Sequence, residues 1–317
     1  MNFSTKIPIP KSDNPINYNS EIVLLGSCFA ENIGAKFEYF KFQNTINPFG
    51  IIFNPVSIEK LISRIVNQQK FTENDILFHN ERWHCYEVHS DLSHENGEEL
   101  LSNLNALLEL TNNQIIESTH LIITYGTSWI YKLKSTSEVV ANCHKMPQSE
   151  FEKEILSVEI IQKSIQNTID LIRKVNPNCN IIFTISPVRH SKDGFIENQR
   201  SKAHLITAIH ETVNRQPTTD NYFPSYEIMM DELRDYRFYA QDMLHPNQIA
   251  IDYIWEQFFL TQIEEEQIPV MQEVCNIQKG LAHKPFHPNS ESHQKFLAVI
   301  NQKIKAVQEQ FPHIKFN

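Results

Sequence analysis

The sequence predicts an α/β fold: a three-layer α/β/α domain with a parallel central sheet, β-hairpin excursions and a C-terminal helical extension. Three observations carry this. Short apolar runs at 22–25, 120–125 and 180–185 have the length and the β-branched content of buried strands. Long helical patterns separate them, the clearest at 154–175, where Ile161, Ile165, Ile169 and Ile172 recur at helical spacing before Pro177 stops the helix. Strands joined through helices pair in parallel and carry helices on both faces.

Residues 1–20 hold Pro8, Pro10 and Pro15 among Ser and Asn, which reads as an extended arm over the domain. After the strand at 22–25, Gly26 permits a tight turn into a helix over 29–42, with Ile33, Phe37 and Phe40 at helical spacing. Asn47-Pro48-Phe49-Gly50 is a turn, 51–53 is a short strand or buried loop, and Pro55 opens a helix over 56–68 with Ile58, Leu61 and Ile65 on one face. Near-alternation over 75–89 with Asn80-Glu81 between the arms predicts a hairpin. Helix over 100–110, a hairpin or excursion over 129–140, helix over 199–214, strand or loop over 222–230, and helix over 246–260 follow. Glu264, Glu265, Glu266 and Pro269 mark a composition shift. Two more helices come after it, the second with Phe296, Ile300, Ile304, Val307 and Phe311 in one stripe, suited to docking on the core. The expected division is an arm at 1–20, an α/β domain at 21–262 and an extension at 263–317.

Composition narrows the function. The 317 residues are 41% hydrophobic and 21% charged, as in an ordinary globular protein able to bury a sizeable core. With 28 Lys and Arg against 38 Asp and Glu the formal charge is −10, and no basic stripe offsets it. Nucleic acid and anionic membranes are therefore poor partners, and a small molecule is the expected one. Five cysteines without a CxxC pair argue for a reducing compartment. Leu25-Gly26-Ser27-Cys28 has the look of a lipoprotein processing site, but polar residues such as Asn14, Asn17 and Glu21 stand where its apolar stretch would have to be. The expectation is a cytoplasmic protein without a membrane span. Histidines 79, 84, 89 and 94 are spaced by five, which alternates faces on a strand, and Pro285 breaks the helix that would join His283 to His287. Neither metal nor organic cofactor is expected.

Ser27 stands where a strand meets a helix, beside the free N–H groups of the first helical turn, a setting that suits a nucleophile attacking a carbonyl. An ordinary strand-to-helix corner has the same sequence. Asp242 lies three residues before His245, close enough to orient its imidazole; the alternative is a capping Asp before a helix opened by Pro246. Cys28 is a rival nucleophile if the helix terminus favours its thiolate, and otherwise a small buried side chain. Arg189 and His190 follow the strand at 180–185 at the end where such sheets bind ligands, and His144 and Lys145 are weaker candidates of the same kind.

The words GSCFA at 26–30, NPFGIIFNP at 47–55, NCHKMP at 142–147, SPVRH at 186–190 and DELRDYRFYAQDMLHP at 231–246 together resemble the GSCFA family, which looks like a branch of the SGNH/GDSL hydrolases. The resemblance runs from about residue 20 to about 260. It implies Ser27 as nucleophile, His245 as general base and then acid, and Asp242 as orienting carboxylate, since QDMLHP matches the family's D-x-x-H. It implies an oxyanion hole from the Ser27 N–H, from Gly50 and from an asparagine. Gly126-Thr127-Ser128 has serine where that asparagine is expected, leaving Ser128 or Asn142 for the role. The implied activity is an esterase releasing a small acyl group, such as acetyl, from a carbohydrate or related metabolite. An O-acyltransferase using the same triad and a non-catalytic binding protein are the alternatives. Nothing in the sequence fixes the oligomeric state.

Overall fold

Each of the three apolar runs becomes a strand with buried side chains on both faces. The computed structural model describes residues 5–213 and 220–316. Its first half contains β1 (Glu21–Gly26), α1 (Cys28–Tyr39), β2 (Gln43–Ile46), α2 (Pro55–Val66), β3 (Ile76–His79), β4 (Arg82–Cys85), α3 (Gly97–Glu117), β5 (His120–Tyr125) and β6 (Trp129–Leu133). Then come β7 (Val139–Val140), β8 (Phe151–Ile155), α4 (Val158–Val175), β9 (Asn180–Ile185), α5 (Phe195–Val213), β10 (Asp220–Phe223) and the short α6 (Ser225–Glu227). The chain continues with α7 (Gln248–Gln262), α8 (Ile268–Ala282) and α9 (Glu291–Gln310).

The central sheet has the order β10-β9-β5-β1-β2, parallel throughout. Side chains of successive strand residues point to opposite faces, so each strand feeds two apolar layers. Ile22, Leu24, Ile122 and Ile182 pack with Phe37 of α1 and Trp255 and Phe258 of α7. Val23, Leu25, Leu121, Ile123, Ile181 and Phe183 pack with the inner faces of α2, α3, α4 and α5. Chain direction across the sheet reverses at β1: β2 lies on one side, and the return to β5 lies on the other. At such a reversal the loops leaving the two neighbouring strands diverge, and a crevice opens beyond their carboxyl ends.

Local chemistry sets the helix starts. Asn54, Asn96 and Ser157 cap α2, α3 and α4 by accepting backbone N–H groups, and Pro55 occupies the first position of α2. The β3–β4 hairpin turns through Asn80 and Glu81, both with positive φ (47° and 61°), the geometry a two-residue hairpin loop demands.

Several expectations shift. Glu154 belongs to β8, an antiparallel partner of β6, and the helix expected from 154 starts at Val158, where the Ser157 hydroxyl takes the Ile160 N–H. Of the two alternatives for residues 51–53, the structure has the loop. The stretch 222–230 divides into the end of β10, α6 and a turn of π-helix over Ile228–Glu232. The helix expected over 246–260 begins at Gln248, capped by Asn247 rather than by Asp242. Asn214, placed in a helix above, and residues 1–4 of the arm lie outside the described residues. The C-terminal helices pack on the core: Met271, Val274 and Ile277 of α8 and Ile300 and Val307 of α9 join Phe37, Trp255 and Phe258 in one cluster. Among the described residues no helix is long and apolar enough to cross a membrane.

Candidate active site

Gly26 closes β1 at φ 134°, and a Cβ there would stand 2.1 Å from the Thr124 carbonyl oxygen. Only glycine lets β1 lie this close to β5. Its N–H donates to Asn47 Oδ1 at 2.8 Å, tying the NPFG loop to the end of the strand. Ser27 then enters α1 as its N-cap. Its hydroxyl accepts the Phe29 N–H at 3.3 Å, its own N–H donates to Thr124 O at 3.0 Å, and it is fully buried. Among the described residues it makes no hydrogen bond to His245. Ser27 thus stands at the sheet's reversal point with its hydroxyl in a capping rotamer. Burial pushes the adjacent Cys28 thiol up, with Glu31 adding to the effect, so that side chain is held as a thiol rather than a thiolate.

Asp242 and His245 form a closed unit. Asp242 Oδ2 is 2.6 Å from His245 Nδ1, while Oδ1 accepts the Leu244 and His245 N–H groups at 2.9 and 3.0 Å. Those backbone donors and the imidazole hold the carboxyl far below the usual range. With Nδ1 donating to a carboxylate, Nε2 carries the lone pair a general base needs. The loop is tight: Met243 adopts φ 59°, and Ala240 N–H donates to the His245 carbonyl at 2.7 Å.

Arg189, a candidate for contacting substrate, clamps this loop. Its N–H donates to Leu244 O at 3.2 Å and its guanidinium to Met243 O, while Tyr239 stacks against it with 4.3 Å between guanidinium carbon and ring centroid. Because Arg189 follows β9, the clamp brings the Asp242–His245 loop to the carboxyl end of the sheet.

Two of the expected oxyanion donors, Gly50 and Ser128, are engaged elsewhere, while the side-chain N–H groups of Asn142 have no partner among the described residues. The Gly50 N–H closes the NPFG turn on Asn47 O at 2.7 Å, and a Cβ at Gly50 (φ 74°) would stand 2.2 Å from His89 Cβ. Ser128 is fully buried; its hydroxyl donates to Ser201 O at 3.2 Å and its N–H to Ser201 Oγ at 2.8 Å, so it joins β6 to α5 instead. Asn142 lines a neighbouring cleft, with Oδ1 accepting the His144 N–H at 2.8 Å.

Two residues gain weight. His190 packs over the end of β5, its Nε2 3.2 Å from where a Cβ on Gly126 would lie, beside the Phe53 ring. Burial, with Lys202 and His245 nearby, lowers its pKa to about 3, so it is neutral at pH 7, and Nε2 is buried without a partner. Lys202 of α5 is wholly buried and donates to Gly126 O and Ser186 O, both at 2.7 Å, stitching the ends of β5 and β9 together; burial lowers its pKa to about 7. Its only trace in the sequence is a charged residue in the phase of the buried Asn198, Leu205 and Ile209. Among the described residues no group of three or more His, Cys, Asp or Glu could hold a metal ion.

Fold and site together define an open-sheet α/β protein with a histidine–carboxylate pair at the carboxyl edge of its sheet and a serine at the reversal point. The chain belongs to the GSCFA family, whose model matches residues 21–258, and the model of the GSCFA domain protein C-terminal domain matches 274–317. Among solved structures it is similar to a carbohydrate esterase family 3 from Talaromyces cellulolyticus, at 10% identity and a TM-score of 0.39, over 80% of this chain and 98% of that one. No curated protein matches it by sequence.

Proposed function

We propose that this protein is an ester hydrolase of the SGNH kind that removes a small acyl group, acetyl in the first instance, from a carbohydrate or related metabolite. The observation that carries the reading is the Asp242–His245 pair, whose 2.6 Å contact leaves Nε2 free as a base. In this mechanism Ser27 Oγ exchanges its cap bond for His245 Nε2, at a cost of about 0.5–2 kcal/mol. It attacks the acyl carbon as the imidazole takes its proton. The imidazolium then protonates the leaving alcohol, and a water activated by His245 releases the acid from the acyl-enzyme. In the tautomer that carries its proton on Nε2, the unpartnered His190 imidazole beside this centre donates to the oxyanion, a role it shares with Asn142 as the candidate amide.

A second reading, a binding protein that kept the fold, is favoured by the capped, buried Ser27 and its engaged N–H. Hydrolysis of p-nitrophenyl acetate by the wild type and by the Ser27→Ala, His245→Ala and Cys28→Ala variants separates the two. Hydrolase chemistry predicts activity lost in the first two variants and kept in the third. Equal background rates in all four, with no Ser27 labelling by an organophosphonate, leave the binding protein. Acyl transfer to an added sugar in competition with water would make the enzyme an O-acyltransferase.

A further inference from the structure

Beside the candidate site, the NCHKMP loop and the β6–β8 sheet enclose a cleft of about 440 Å³, within the range of small-molecule sites. His190 lines it and lies within electrostatic reach of His245, so the cleft adjoins the candidate centre. Its apolar wall comes from Phe53, Trp129, Tyr131 and Phe151. Its charged groups are Lys145, Lys153 and Lys192 against the single acid Asp193, in a chain of net charge −10. Asp193 is taken by Lys153, while Lys145 and Lys192 have no acidic partner among the described residues. Two uncompensated cations face this cleft.

The loop that presents Lys145 is built rather than slack. His144 and Lys145 both adopt positive φ, 48° and 59°, a conformation that side chains other than glycine occupy only where their surroundings hold them. What holds them is the buried His144 imidazole on Cys85 O at 2.7 Å, the Asn142 side chain on the His144 N–H at 2.8 Å, and the Ala141 N–H on Tyr86 O at 2.8 Å. A cation fixed this way loses less freedom when it meets an anion than one on a mobile loop.

We propose that this cleft recognises the substrate through an anionic group: the ester's ring-bearing alcohol portion carries a carboxylate or a phosphate, with the anion between Lys145 and Lys192 and the ring against the aromatic wall. The inference rests on the hydrolase reading only in calling the ligand an ester. Calorimetric titration of the full-length Ser27→Ala protein with glucose, glucuronate and glucose 6-phosphate tests it without turnover. At least one of the two anions should bind about tenfold or more tighter than glucose. That preference should shrink with added salt, vanish in Lys145→Ala/Lys192→Ala and persist in Lys145→Arg/Lys192→Arg. The anion that binds tighter identifies the group. Equal affinity for all three sugars, no binding of any, or a preference that survives the double alanine variant overturns the proposal. Anion binding without Ser27-dependent esterase activity in the wild type would instead remove the hydrolase and leave the anion site.

Discussion

Asp242 holds two backbone N–H groups with one oxygen and an imidazole with the other. Asp242→Asn separates these tasks. Its Oδ1 still accepts from Leu244 and His245, so the loop keeps its shape, but an amide N–H now faces His245 Nδ1 and turns the lone pair of the imidazole inward. The expected result is a kcat lower by about 10³–10⁴ with little change in KM, measured on p-nitrophenyl acetate; an unchanged kcat would remove His245 from the mechanism. Gly26→Ala acts on the fold instead. A Cβ 2.1 Å from Thr124 O at φ 134° forces β1 and β5 apart, and a urea-unfolding loss of about 2 kcal/mol or more is expected. Ser27 and the Asp242–His245 pair are legible in the sequence because each is local: a strand-to-helix corner and a three-residue spacing. His190 is legible as a residue at the ligand-binding end of the 180–185 strand, but its packing over Gly126, and Lys202 beneath it, are not, since each contact joins groups from separate elements that only the folded sheet brings together.

At the scale of elements, the loop over 141–147 depends on one titratable anchor. His144 is buried, and desolvation lowers its pKa to about 4 from an ordinary 6.5, despite the hydrogen bond to Cys85 O. As pH falls below 6.5 the unfolded chain takes up a proton that the folded chain refuses until about pH 4. This contribution to stability is therefore complete above 6.5 and lost as the pH drops toward 4, and His190 acts in the same direction down to about 3. Urea midpoints should fall between pH 7.5 and 4.5, and His144→Gln, whose amide can donate to Cys85 O without titrating, should flatten the slope. Equal slopes in the two proteins would mean that His144 is not the group responsible. Helix and strand boundaries show what periodicity can reach. The apolar phase of α4 is plain from Ile161 onward, but Glu152, Lys153 and Glu154 look equally polar in a first helical turn and in an edge strand. Only pairing with β6 decides for β8.

For the whole molecule, the two-faced burial of the strands was legible from their unbroken apolar runs. The order β10-β9-β5-β1-β2 was not, because a right-handed crossover can add a strand on either side of β1 with the same local pattern. That order places the serine at the reversal point and leaves one face of the sheet to be covered by α1, α7 and the C-terminal helices. Phe311, just after α9, packs at a tilt against Tyr18 of the N-terminal arm with ring centroids 4.9 Å apart, and Tyr18 stacks in turn on Phe42 at 4.3 Å. Arm, sheet layer and C-terminal helices thus share one apolar cluster, on the face away from Val23 and Leu25. If they unfold together, Phe311→Ala should lower the stability of the entire chain by about 3–5 kcal/mol. It should do so in a single urea transition seen alike by fluorescence and circular dichroism, with kcat unchanged below the transition. A separate early transition confined to the helical signal would show instead that the extension docks on a core already stable without it, and the mutation would then leave the main midpoint where it was.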